Sequence, residues 1–400
     1  MILKASILFI LPTLILINGQ NVSNSLNEFS LNLLATTNSE AGDNLNIALS
    51  PFTIWTLLTI VSEGAQGNSL RQLVSVLKLN NNIKQVRSNY LAMHDSLLKE
   101  ADGVHLDFSS AIFTNKKFNL RDSYQKNIKE FYKVNVIPTD FKNTKSAADD
   151  INNYISKNTN NRINSLVNDD DLRDAFIFLT SVLSFKGEWK SPFNRTATKP
   201  EAFYDEKGTK IGDVKMMYQN GYFPYTRVEA IRSYALELPY GSDGKMSMVV
   251  ILPFKGTALA NSLNLLSKFT FNKLLDYLED AEEKFIDEEV QVYLPRFRVT
   301  SEFNMDRVLN KMGIKDIFNS QEADLLGILD QYLYISRVLQ RADIEVDEEG
   351  TVAAAAAGAS FAYKSPPPKF QANRPFMYFL VDKPTRSMVF AGKVSNPNSF

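Results

Sequence analysis

Two hydrophobic periods divide the chain. Over roughly the first third, apolar positions recur at helical spacing. Ile54, Leu57, Leu58 and Val61 follow Ser50-Pro51, a capping serine with a proline in the first turn, and stop at Gly64. Residues 84–100 have the same character, and 147–167 place Ile151, Tyr154 and Ile155 on one face. In the second half the period shortens to two. Residues 234–240 alternate, turn at Gly241-Ser242-Asp243-Gly244 and return through the apolar run 246–252, which predicts a hairpin. Val290, Val292 and Leu294 share one face of another strand, and 376–381 and 387–394 are two further apolar strands. Helices first and antiparallel strands later predict an α+β fold. No internal repeat is present.

One segment fits neither period. Glu348-Glu349-Gly350-Thr351-Val352 leads into Ala353, Ala354, Ala355, Ala356 and Ala357, then Gly358. An alanine run alone suits a short exposed helix or a linker. The carboxylate pair ahead of it, and Phe361-Ala362-Tyr363-Lys364-Ser365-Pro366 behind it, suggest a different use. Such a segment can be mobile in one state and fill a tight slot in another.

Composition narrows the setting. The chain has 400 residues, 44% hydrophobic and 22% charged, with a formal net charge of -1, so nothing global points to nucleic acid. Residues 1–19 read as a secretory leader: Lys4, an apolar run over 7–17, and Gly19 as a small residue for cleavage. The run is too short for a comfortable membrane span. The expectation is a secreted, soluble monomer, with 20–400 as one domain. Asn21-Val22-Ser23 and Asn194-Arg195-Thr196 are glycosylation sequons. The absence of cysteine excludes disulfides, thiol nucleophiles and thiolate metal sites.

Catalytic constellations are missing. The two histidines, His94 and His105, lie in a predicted helix and near a strand start, with no metal-like spacing partner. No G-x-S-x-G elbow, P-loop, H-E-x-x-H or dinucleotide fingerprint occurs. Asp169-Asp170-Asp171 lacks the glycine and closing glutamate of a calcium loop and reads as a solvated helix cap. Neither an enzyme nor a metal or cofactor is expected. Lys84, Arg87 and Lys99, with Lys126, Lys129 and Lys133, suit an ordinary solvated helix face. The alternative is a face for a heparin-like glycosaminoglycan.

Separated motifs, in order, resemble the serpin family across the mature chain. They are Asn46-Ile47-Ala48-Leu49-Ser50-Pro51; Phe185-Lys186-Gly187-Glu188-Trp189 with Pro192-Phe193; Leu236-Glu237-Leu238-Pro239-Tyr240 with the strand after it; Leu294-Pro295-Arg296-Phe297; and Met312-Gly313-Ile314 with Phe318. The most specific is Phe370-Gln371-Ala372-Asn373-Arg374-Pro375-Phe376. The resemblance implies three β-sheets, about eight or nine helices and an exposed reactive loop at about 348–369. A target protease attacks that loop as substrate, and the loop then inserts into a sheet as a new strand with the acylated protease attached. Small residues from Thr351 to Ala357 suit a strand entering a packed sheet, and Gly350 suits a hinge. Val352 stands where the family commonly has Glu.

Family spacing puts the scissile bond fourteen residues after Gly350, at Lys364–Ser365, which implies a trypsin-like target. Tyr363 or Phe361 is the runner-up, for a chymotrypsin-like target. The resemblance pairs Glu348 with Arg296, sets Trp189 beside them, and puts Gln340 and Ser181, over Ser50 and Thr53, where many members hold strands with a His-Asn pair. The alternative within the family is a non-inhibitory carrier or chaperone, whose hinges often carry bulky or charged residues.

Overall fold

The computed structural model describes residues 10–99, 103–285, 287–349 and 366–399. Among them the chain forms the expected α+β architecture of three sheets and nine α-helices. The helices are α1 (Ile10–Ala41), α2 (Pro51–Ser62), α3 (Gly67–Leu77), α4 (Ile83–Leu98), α5 (Asp122–Asn127), α6 (Thr144–Asn158), α7 (Leu259–Phe269), α8 (Phe271–Lys284) and α9 (Asp306–Met312).

A six-stranded sheet holds β1 (Ile47–Leu49), β15 (Ser387–Val394), β14 (Phe376–Asp382), β9 (Met246–Pro253), β8 (Ser233–Tyr240) and β7 (Tyr225–Val228), in that order. Every neighbour in it is antiparallel. A four-stranded sheet runs β13 (Lys369–Gln371), β10 (Val290–Pro295), β6 (Lys210–Gly221), β5 (Lys199–Tyr204). The five-stranded sheet runs β11 (Phe297–Asn304), β12 (Ile335–Val346), β4 (Ile177–Gly187), β2 (Val104–Asn115), β3 (Asn135–Thr139). Its central pair, β12 and β4, is parallel, with Gln340 opposite Ser181 and Glu345 opposite Lys186.

Helix α2 is buried on every side, because it packs against β15 of one sheet and β2 and β4 of another. A helix apolar all round belongs in a core. Ser50 precedes it, but its side chain makes no capping bond, contrary to the expectation from Ser-Pro. Its hydroxyl instead joins a buried cluster beneath the five-stranded sheet.

Helix α6 lies on the other face of that sheet. Ala147, Ile151 and Ile155 pack with Phe113, Phe178, Val182 and Leu339. The expected helix over 147–167 is too long. Asn160 and Asn161 take left-handed conformations, φ 49° and 60°, which asparagine tolerates and helices do not. The chain beyond is laid across the sheet. Asn152 fixes it by accepting from Leu166 N at 2.8 Å and Val167 N at 3.0 Å, and Arg341 of β12 donates to Ser165 O at 2.7 Å. Asp171, expected as part of a solvated cap, pairs with Arg337 of β12 instead.

Candidate functional site

The seam between β12 and β4 is where the five-stranded sheet meets the segment singled out in the sequence. Alternation along β12 sends Val338, Gln340, Ala342 and Ile344 to the inner face and Leu339, Arg341, Asp343 and Glu345 to the outer one. Continued past Val346, the same parity turns Glu348 inward and Glu349 outward. The two adjacent carboxylates therefore meet different surroundings.

Glu348 is buried. It lies 3.5 Å from Arg296 Nε and accepts from Thr198 Oγ1 at 2.7 Å. Arg296 is 41% exposed, so only one side of this pair is desolvated. Trp189 brackets the same residues through the backbone. Its indole Nε1 donates to Asp347 O at 2.7 Å and its own N–H to Glu349 O at 3.0 Å. The indole is itself fixed by stacking on Tyr240, with centroids 4.1 Å apart and planes 14° apart. Gly187 permits that approach, since a Cβ there would lie 2.6 Å from the Tyr240 ring. The mouth of the seam is thus anchored on the end of β8 in the six-stranded sheet.

Glu349 faces solvent and two cations. Lys186 Nζ lies at 3.1 Å and Arg195 Nη2 at 2.8 Å. The Lys186 hydrogen bond holds the Glu349 carboxyl below its usual range, and the same bond raises Lys186.

Lower in the seam, Gln340 is fully buried and donates through Nε2 to Ser50 O at 2.8 Å and to Ser181 Oγ at 3.4 Å. Thr53 Oγ1 donates to Ser50 Oγ at 2.8 Å and also bonds Ser181 Oγ. Gln340 Oε1 has no hydrogen-bond partner among the described residues. These four residues, from three separate parts of the chain, form one polar cluster between α2 and the seam.

Gly350, Thr351, Val352, Ala353, Ala354, Ala355, Ala356, Ala357, Lys364 and Ser365 lie outside the described residues. Asn21 falls on the backbone of α1. Asn194 is exposed at a 3-10 turn, its Oδ1 accepting from Thr196 N at 2.9 Å and Thr196 Oγ1 at 2.8 Å. Lys84, Lys126, Lys129 and Lys133 are exposed. Arg87 is not available in the same way. It binds the buried Glu63 with both Nε, at 2.8 Å, and Nη2, at 2.5 Å, and lies over Phe131. His94 is ring-packed with Tyr90 and Phe108, and burial lowers its pKa. No group of side chains among the described residues is arranged to hold a metal ion.

Lys186, Arg195, Thr198 and Tyr240 were not assigned roles from the sequence. Lys186 and Tyr240 sit inside quoted motifs, and strand parity would have separated Glu348 from Glu349. Thr198 carries no such signal.

Comparison with known proteins agrees across the chain. The family described as Serpin (serine protease inhibitor) matches residues 24–397. Leukocyte elastase inhibitor A of Mus musculus is 30% identical over 385 residues, covering 94% of this chain and all of that protein. Antithrombin-III of Homo sapiens is 32% identical over 368 residues, covering 89% of this chain and 77% of that one. The crystal structure of native protease nexin-1 with heparin superposes with a TM-score of 0.82 at 25% identity, over 96% of this chain and 100% of the other.

Proposed function

The chain belongs to the serpin family, and from that premise we propose that it is a secreted suicide-substrate inhibitor of a trypsin-like serine protease, cleaved at Lys364–Ser365. The observation that carries this reading is the parallel seam. Strand β12 leads directly into the hinge and runs parallel to β4. A segment folding back at Gly350 would run antiparallel to both. One parallel pairing would be exchanged for two antiparallel ones, which are slightly more stable per residue.

The lengths agree. Strand β12 has 12 residues. An inserted strand of equal length starting at Thr351 ends at Ala362, just short of Lys364. Full insertion would therefore carry the Lys364 acyl group about 40 Å, the length of such a strand. The protease serine attacks the Lys364 carbonyl, the bond to Ser365 N breaks, the Ser365 amine leaves, and an ester to Lys364 remains. Lys364 is the only basic side chain between Thr351 and Ser365, and a buried pocket aspartate selects Lys or Arg. The side chains that enter the seam first, Thr351 to Ala357, are small, which favours the inhibitory over the carrier reading.

The test is incubation with trypsin at equimolar ratio, followed by denaturing electrophoresis and mass spectrometry. A complex that survives denaturation, with a released peptide beginning at Ser365, is expected. Clean cleavage with no complex for any trypsin-like or chymotrypsin-like enzyme would overturn the proposal and favour the non-inhibitory reading. A complex formed only after Tyr363 would move the target to the chymotrypsin-like class.

A heparin-like polyanion is a proposed modulator. The exposed Lys84, Lys126, Lys129 and Lys133 and the heparin complex of a similar protein favour it. Heparin-column retention that falls with salt, and falls further in a variant lacking these four lysines, would support it.

A further inference from the structure

We propose that Lys186 and Arg195 act as positioning residues that latch Glu349 across the mouth of the seam and set how readily it opens. This inference rests on the strand-insertion reading above.

Lys186 is the next-to-last residue of β4, while Glu349 follows β12. Their contact at 3.1 Å therefore spans the two strands that an inserting segment must part. Lys186 Nζ also lies 3.9 Å from Asp347 Oδ2, and Glu345 is its register partner. Asp347 and Glu349 continue the outward parity of Glu345, so three carboxylates line one edge of the mouth with Lys186 on the other. Arg195, on the turn after β4, closes on Glu349 from beyond the seam at 2.8 Å. Arg298 of β11, another cation on this face of the sheet, is engaged with Asp343 at 3.2 Å.

A new strand adds about 4.8 Å between its neighbours. Added to the present 3.1 Å, that breaks the Lys186–Glu349 pair. The Trp189 N–H to Glu349 O bond spans the same gap and must break with it. The latch is consequently lost as the seam opens, and its strength enters the opening rate. That strength is small. Glu349 is 42% exposed, Lys186 34% and Arg195 69%, so solvent and salt screen both pairs. A latch this weak sets a rate without sealing the sheet. It also differs from Glu348, whose own carboxylate is buried and accepts a hydrogen bond from Thr198.

The experiment reads opening without a protease. A fluorescent peptide with the sequence of residues 351–362 is added to the full-length protein, and its incorporation is followed by anisotropy and native electrophoresis. Glu349→Gln should speed incorporation about two- to fivefold with little change in thermal midpoint, as expected for exposed pairs. Lys186→Gln should give a smaller gain, and the double variant less than the product of the two single gains, because both remove the Lys186–Glu349 pair. Lys186→Arg should restore the wild-type rate. Raising salt should accelerate the wild type and leave Glu349→Gln nearly unchanged. A Glu349→Gln rate at or below wild type, or equal salt acceleration in both, overturns the latch. No incorporation in any variant overturns the insertion reading itself, and the latch with it.

Discussion

The six-stranded and five-stranded sheets lie on either side of α2 and are built on opposite terms. In the first, β14 and β15 are buried at every position, their buried polar side chains Asp382, Ser387 and Lys393 lie only at or next to strand ends, and every pairing is antiparallel. Gly392 shows how tight it is, since a Cβ there would lie 2.2 Å from Ile47 O and 2.4 Å from the Tyr378 ring. In the second, the central pairing is parallel and the seam buries Ser181, Ser184 and Gln340 where branched apolar residues would pack. Polar stitches hold that seam at three levels: Glu348 and Trp189 at the mouth, Gln340 and Arg341 in the middle, and Arg337 below. Hydrophobic burial resists parting at every point along a strand, whereas hydrogen bonds can be exchanged for those of an incoming strand. On the proposed insertion, one sheet stays a fixed frame and the other is the one divided.

The largest effect should come from the frame. Phe379 is fully buried and its ring centroid lies 5.1 Å from that of Phe271. Phe379→Ala should lose about 3–5 kcal/mol in denaturant unfolding. A loss under about 1 kcal/mol would break the contrast between the sheets. At the seam, Glu348→Lys should cost less overall stability yet promote association. With one partner buried and the other half-exposed, the loss should fall at about 2–4 kcal/mol, between exposed and buried pairs. Mild heating followed by size-exclusion chromatography should show polymers of Glu348→Lys, and a variant that stays monomeric counts against the seam as the weak line.

A smaller, pH-dependent effect sits at the lower end of β12, on its β11 side. Asp306 opens α9 and accepts from Val338 N of β12 at 2.8 Å. Burial raises its pKa from an ordinary 3.8 to about 6, against the opposing pull of that hydrogen bond and of Arg337. The fold thus prefers the protonated acid. The stability it contributes is full below about pH 3.8 and is lost as pH rises through about 6. Asp306→Asn keeps an acceptor for Val338 and removes the titration. The unfolding free energy of the wild type should fall by about 1–3 kcal/mol relative to this variant between pH 4 and 7, measured by denaturant titration. Parallel profiles would remove Asp306 from the account.

The frame was largely legible in the sequence and the seam only in part. Strands β8, β9, β14 and β15 of the frame, and β10 of the four-stranded sheet, follow from alternation or apolar runs, because burial of a sheet face imposes a period that survives in one sequence. The end of α6 was missed because Asn160 and Asn161 break the helix through left-handed backbone, while Ile163, Leu166 and Val167 keep the chain apolar beyond it. That apolar run packs on the outer face of the seam and does not continue the helix. The Glu348–Arg296 and Gln340–Ser181 contacts came from resemblance. Nothing local to either partner announces a neighbour so distant in sequence. Arg87 shows the converse, since its charge looked free beside the lysines until Glu63 and Phe131 were seen around it.

The finest test of the contrast is the middle stitch. Gln340 cannot titrate near neutral pH, and its partners are Ser50, Ser181 and, through them, Thr53, none of which ionises there. Opening at this level should therefore be insensitive to pH between 6 and 7. Gln340→His would place an imidazole in a fully buried site, where desolvation disfavours its charged form. Acidification through its pKa would then force a charge into the seam and loosen it. The polymerisation rate of the wild type, followed by light scattering under mild heating, should change less than about twofold over that interval, whereas the variant should polymerise faster at the acid end. A sharp wild-type dependence that disappears in Gln340→Leu would show that this cluster senses protons by a route its side chains do not reveal. The middle stitch would then no longer be the neutral element that separates this seam from its two charged ends.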